Sequence, residues 1–84
     1  MAKSANQKLK LLYIVRMLEE NTDEDHCIST QELIRELGTY GITAERKSIY
    51  SDMEQLERFG YDIVYVKART GGGYYLAGRR FELP

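Results

Sequence analysis

The stretch Gly41–Gly60, GITAERKSIYSDMEQLERFG, decides how the chain is read. At 100° per residue Ile49, Met53 and Leu56 fall together, Lys47, Ser51, Glu54 and Arg58 fall opposite, and Ser48 and Tyr50 flank them. That spacing predicts a helix from about Ala44 to Phe59, ended by Gly60, where a glycine tolerates the turn. Ahead of it, GIT is a short connection in which Ile42 can plug the corner between two helices and Thr43 can cap the second. Glu54 and Arg58 are spaced for a weak i,i+4 ion pair.

Upstream, Ser29 followed three residues later by Glu32 is a capping box that opens another helix, carrying Leu33, Ile34 and Leu37. Gly38 weakens that helix, and Gly41 is the better C-terminal glycine, so the helix is expected to stop near Tyr40. Further upstream NQKLKLLYIVRMLEEN, Asn6–Asn21, places Leu11, Ile14, Val15 and Leu18 on one side of a first helix, with Arg16 and Glu20 pointing away. An acidic loop, NTDEDH, and a strand stub, CIST, join these two helices. Downstream, YDIVYVK and YYLAG are rich in tyrosine and β-branched residues and too short for helices, so they read as two strands around ARTGGG. The order is helix, stub, helix, tight turn, helix, hairpin, an α+β arrangement in a single domain spanning residues 1–84.

With 43% hydrophobic and 30% charged residues, the composition is that of a globular chain rather than a disordered one. No apolar run reaches the length of a membrane span, and MAKSANQKLK lacks the apolar region of a secretory signal, so a cytoplasmic protein is expected. Cys27 is the single cysteine, which excludes an internal disulfide and leaves no Cys/His set of metal-ligand spacing. The net charge of -1 hides an uneven distribution. Acids crowd Glu19–Glu36, whereas Ile63–Phe81 holds Lys67, Arg69, Arg79 and Arg80 and no acid, so one basic face can exist on an acidic protein.

Three lures toward enzyme chemistry fail on spacing. RTGGGYYL, Arg69–Leu76, is glycine-rich, but neither a Lys-Ser/Thr pair nor a helix follows the glycines, so a P-loop or dinucleotide cradle is not built there. Gly71, Gly72 and Gly73 read instead as the tip of a hairpin whose amides can approach a phosphate, and their replacement by alanine is expected to affect such contact more than the fold. His26 and Cys27 are adjacent in an extended segment and point to opposite faces, which places Cys27 inward and His26 on the surface rather than pairing them as base and nucleophile. The carboxylates of DEDH lack the glycine-centred spacing of a calcium loop. No cofactor, metal or catalytic group is expected.

A helix, a short glycine-containing turn and a second helix make the helix-turn-helix unit, whose second helix enters the DNA major groove. Here its exposed N-terminal residues are Arg46, Lys47, Ser48, Tyr50 and Ser51, two cations and three hydroxyls that suit phosphate oxygens and base edges. Glu54 on the same face is unfavourable near phosphate, so contact should fade beyond the second turn. A helical hairpin with no nucleic-acid partner would show much of the same polar and apolar pattern.

At ERKSIYSDMEQLERFGYDIVY, followed by GGGYYL, the chain resembles the N-terminal winged helix-turn-helix domain of bacterial DeoR-like transcription regulators, particularly those with a WYL domain downstream. The resemblance runs from about Lys8 to Pro84 and rests on the order and spacing of Arg46, Ser48, Ile49, Asp52, Leu56, Gly60 and Ile63, with the glycine-tipped hairpin before YYL. It implies a DNA-binding module, usually dimeric, whose helix near 44–59 reads the major groove while the hairpin wing at 67–73 touches the backbone or minor groove. Ser51 stands where such sequences often carry a base, and Ser48 where threonine is common. RRFELP leads onward in that pattern to an effector-sensing part, so the 84 residues are expected to be the N-terminal part of a longer regulator, any effector being bound beyond Pro84.

The contact set expected on duplex DNA is therefore Lys47, Ser48, Tyr50 and Ser51 toward the groove and Arg46 toward a phosphate. Lys67, Arg69 and the amides of Gly71, Gly72 and Gly73 would meet the adjacent backbone, and Thr43 with the helix N-terminus another phosphate. Two other readings compete: a protein-interaction module contacting its partner through the tyrosine-rich hairpin, and a small nucleotide-binding enzyme.

Overall fold

The computed structural model describes residues 2–67 and 72–79, with side chains described for 7–67 and 72–77. Three helices precede an antiparallel hairpin: α1 (Ala2–Asn21), α2 (Thr30–Thr39), α3 (Arg46–Phe59), β1 (Tyr61–Val66) and β2 (Gly73–Arg79). This is an α+β chain in which the helices form one bundle and the hairpin closes one side of it.

The turn between α2 and α3 follows from two residues. Gly41 takes φ +78°, so its N–H reaches back to the Gly38 carbonyl (3.0 Å) while the Ile42 N–H reaches the Leu37 carbonyl (3.0 Å). This is the Schellman arrangement, and its usual apolar contact is supplied by Ile42 and Leu37, both buried in the same core cluster. The chain then runs extended, and α3 starts two residues later than its apolar spacing indicates. Glu45, not Thr43, occupies the cap position, with φ -116° and ψ 158°. Ser48 completes the cap from inside the helix: its hydroxyl accepts from the Glu45 N–H (3.2 Å) and donates to the Glu45 carbonyl (2.8 Å). At the N-terminus of α2, the Ser29 hydroxyl accepts from the Glu32 N–H (3.1 Å) and the Glu32 carboxylate accepts from the Ser29 N–H (3.0 Å), the box expected from their spacing. Gly60, at φ 134°, ends α3.

Ile14, Met17 and Leu18 of α1, Leu33 and Leu37 of α2, and Ile49, Met53 and Leu56 of α3 make the core, joined by Ile28, Ile42, Ile63 and Tyr74. Leu11 and Val15 pack at its edge rather than inside it. Outside the core, the Tyr13 and Tyr40 rings stack 4.2 Å apart and hold α1 to the end of α2, with the Arg16 guanidinium 5.6 Å from the Tyr13 ring.

In the hairpin, Ile63 pairs with Leu76 and Tyr65 with Tyr74, and a bulge between Asp62 and Ile63 shifts the register so that Asp62 pairs with Gly78 and Tyr61 with Arg79. The stub before α2 adds one bridge, in which Ile28 and Tyr74 exchange both backbone hydrogen bonds (2.9 and 2.8 Å). Thr22 ties the other side, its hydroxyl accepting from the Leu76 N–H (3.0 Å) and donating to the Leu18 carbonyl (2.5 Å). The hairpin is thus fastened to both α1 and the entry to α2.

That stub corrects one expectation. Cys27 is exposed, because alternation along the extended segment gives the inward position to Ile28. His26 does lie on the surface, where its Nδ1 is 2.9 Å from Asp23 Oδ1 in a turn also closed by two backbone hydrogen bonds between the same residues.

Candidate nucleic-acid interface

The outward side of α3 carries Arg46, Lys47, Tyr50 and Ser51, all exposed, across its first two turns. The inward side buries Ile49, Asp52, Met53 and Leu56. Helical periodicity alone separates these sets, and the apolar set fixes the direction in which the polar one faces. Tyr50 is 46% exposed, enough for its ring and hydroxyl to reach a partner.

Arg46 and Tyr50 belong to a polar recess of about 310 Å³ that gathers three elements. Ser29, Thr30 and Gln31 come from the start of α2, and Tyr65 and Gly72 from the hairpin. The positive end of the α2 dipole and the Arg46 guanidinium lie on one surface, where the Glu32 carboxylate already accepts from the Ser29 N–H as part of the capping box.

Ser48 departs from its expected place. It is half-buried, and its hydroxyl accepts from the Lys10 ammonium (2.9 Å) as well as from the Glu45 N–H while donating to the Glu45 carbonyl. One donor and two lone pairs are then all engaged, which leaves no capacity for a base or phosphate. Thr43 is exposed but caps nothing; it borders a second recess with Gly41, Ala44 and Glu45, beside Lys10 and Ser48. Glu54 and Arg58 form no ion pair with each other.

Sequence patterning missed the polar group underneath α3. Lys10 Nζ lies 2.9 Å from Asp52 Oδ2, with the two side chains 4% and 5% exposed. Gln7 donates to Asp52 Oδ1 (3.2 Å), while Oδ2 takes the ammonium as a charge contact without an aligned hydrogen bond. A signal for it existed: Lys10 stands four residues before Ile14, and Asp52 three after Ile49, so each charge interrupts an apolar stripe.

The hairpin glycines divide in two. Gly71, with Arg69, lies outside the described residues. Gly72 and Gly73 are placed by contact with their own chain: a Cβ on Gly72 would run into the Val66 carbonyl and sit 2.8 Å from the Tyr65 hydroxyl, and one on Gly73 would sit 2.8 Å from the Ile28 carbonyl and 2.9 Å from Cys27 Sγ. Alanine at either position would therefore burden the fold itself. Lys67 follows β1 and is exposed.

No helix among the described residues is long and apolar enough to cross a membrane, and no group of three or more His, Cys, Asp or Glu side chains among them could hold a metal ion. Comparison of the chain with known protein families, curated proteins and solved structures gives no match.

Proposed function

We propose that the chain is a winged helix-turn-helix module that binds duplex DNA in a sequence-specific manner as part of a transcription regulator. In this reading α2 and α3 are the helix pair, α3 lies in the major groove and the hairpin is the wing. The observation that carries it is the joint exposure of Arg46, Lys47, Tyr50 and Ser51 on the first two turns of α3, beside the α2 N-terminus and Gly72. Arg46 and Lys47 supply phosphate or guanine contacts, and Tyr50 and Ser51 supply hydroxyls to base edges. Lys67 extends the cationic track along the hairpin. Contact ends where Glu54 begins, because a carboxylate at that position repels phosphate.

Iterative selection from a random duplex pool tests the proposal. Recovery of a shared motif, bound with an affinity that falls steeply with salt, is the expected result. Recovery of no motif, together with no salt-sensitive binding at low ionic strength, would leave the helix face to a protein partner instead.

A further inference from the structure

A third concavity, distinct in chemistry from the polar recess, opens between α3 and the hairpin. Its volume is about 470 Å³, within the range of roughly 300–1,000 Å³ that small-molecule sites occupy. Tyr50 from α3 and Tyr65 and Tyr74 from the hairpin line it, with the Tyr65 and Tyr74 rings tilted at 57° and 5.1 Å between centroids. Met53 and Ile63 form an apolar floor, and the carboxylates of Glu54 and Glu57 stand in the wall. No lysine, arginine or histidine lines it, and neither glutamate forms an ion pair with a described residue.

We infer that this cleft binds a small organic cation with a quaternary ammonium or guanidinium head. Tyrosine faces attract such a cation through the ring quadrupole, at about 6 Å or less from the ring centroid. The apolar floor suits the methyl or methylene surface that a compact, strongly hydrated metal ion lacks. Two carboxylates supply the opposite charge and disfavour phosphate, and Ser51 and Tyr50 make the rim that the cleft shares with the exposed face of α3. Burial already pushes the Tyr74 phenol above its ordinary 10.0, with Tyr50, Tyr65 and Glu57 adding in the same direction and the Thr30 hydroxyl pulling the other way. Tyr74 is largely buried and its hydroxyl bonds Thr30, so it serves as an aromatic wall behind the more exposed Tyr50 and Tyr65.

Tyr50 and Tyr65 also line the polar recess, so the same two phenols wall both cavities. If α3 reads DNA as proposed, a guest in the cleft touches the back of a residue whose front meets the nucleic acid. The binding itself does not depend on that reading, and its test needs no DNA.

The test is an NMR titration of the full 84-residue chain with tetramethylammonium chloride, using tert-butanol as a neutral probe of similar shape and sodium chloride at matched ionic strength. Saturable shifts confined to the Tyr50, Tyr65 and Tyr74 ring protons and the Met53 methyl are expected with the cation alone. The double substitution Glu54→Gln/Glu57→Gln, at two exposed positions, should weaken the cation about tenfold with the amide spectrum retained, a loss on the scale of one or two such contacts. Equal shifts with tert-butanol would reduce the cleft to an apolar dent, and linear shifts that match sodium chloride would remove the site. A Gly-Arg-Gly amide that saturates the same signals at least tenfold more tightly would overturn the small-molecule occupant in favour of a partner's arginine.

Discussion

Lys10 and Asp52, 42 positions apart in sequence, meet at 2.9 Å beneath the outward face of α3. Gln7 and Lys10 approach from one turn of α1, and Ser48 and Asp52 from one turn of α3, so four side chains fix how α3 is rotated about its own axis. A rotation that moved Arg46 and Tyr50 off their surface would break this group. Apolar packing alone tolerates small rotations, whereas a buried ion pair with its hydrogen bonds does not.

Removing one member should therefore cost more than removing both. Lys10→Met leaves the Asp52 carboxylate buried without its counter-charge, and a loss of about 3–5 kcal/mol is expected in urea unfolding. Adding Asp52→Leu to Lys10→Met should recover most of that loss, and a double-mutant cycle measures the coupling. A single mutant as stable as the parent would show that water already reaches the pair.

Ser48 and its neighbours on α3 should separate in their effects. Ser48→Ala removes the inner half of the cap and a partner of Lys10, so stability should fall by about 1 kcal/mol. Lys47→Ala and Arg46→Ala should leave stability within about 0.5 kcal/mol, as surface substitutions do. Under the proposed function the order reverses on DNA: each cation lost from a phosphate contact should flatten the log K against log salt slope by about 0.9, and Ser48→Ala should not change it. Isothermal unfolding and a salt series of binding measurements distinguish the two classes.

The glycines give opposite signs. Gly38 has no atom near the site of a Cβ and no positive φ, so Gly38→Ala should stabilise the chain by about 0.5–1 kcal/mol. Gly41→Ala, at φ +78°, should cost about 1–2 kcal/mol. Gly73→Ala forces a methyl against the Ile28 carbonyl and Cys27 Sγ and should cost about 1–3 kcal/mol. Thermal unfolding of the three variants checks the order Gly38→Ala above parent above the other two.

His26 should titrate above its ordinary 6.5. Its hydrogen bond to Asp23 raises it, and the same bond holds the Asp23 carboxyl below its ordinary 3.8. A raised histidine stabilises the turn fully below 6.5 and loses that contribution as pH rises through the raised value. A lowered carboxyl contributes above 3.8 and loses it as pH falls through the lowered value. The turn is then held best between the two, and Asp23→Asn should lower the His26 midpoint toward its ordinary value in an NMR pH series, with Asp25 still acting to raise it. Both groups are exposed, so the midpoint, not global stability, is the quantity to follow.

Much of the fold was legible in the chain because it rests on local rules. Ser29 with Glu32, Gly41 and Gly60 mark helix ends by their own chemistry, and the apolar spacings of three helices place most of the core. The start of α3 was misplaced because a threonine before an apolar stripe looks like a cap, while here a serine inside the helix does the work. Lys10 and Asp52 escaped notice because a charge is read as solvated unless a distant partner is known. Gly72 and Gly73 were taken for conformational freedom, although what they supply is room for Ile28, Cys27 and Tyr65. Lys10 with Asp52 needs a partner 42 positions away, Ser48 shares its hydroxyl among three contacts, and Cys27 loses the inward position to its neighbour Ile28.

The Ile28–Tyr74 bridge adds a second kind of anchor to the hairpin. β1 continues from α3 through Gly60 alone, at φ 134°, whereas β2 is knotted by a pair of backbone hydrogen bonds to the residue just ahead of α2. The hairpin is thus held by every helix: by the core packing of Ile63 and Tyr74 with Met53 and Leu56 of α3, by the bridge ahead of α2, and by Thr22 at the end of α1. A load on the hairpin is therefore shared: pulling it from α3 would expose Ile63 and Met53, and pulling it from α2 would break the paired backbone bonds at Ile28, so no single anchor yields alone.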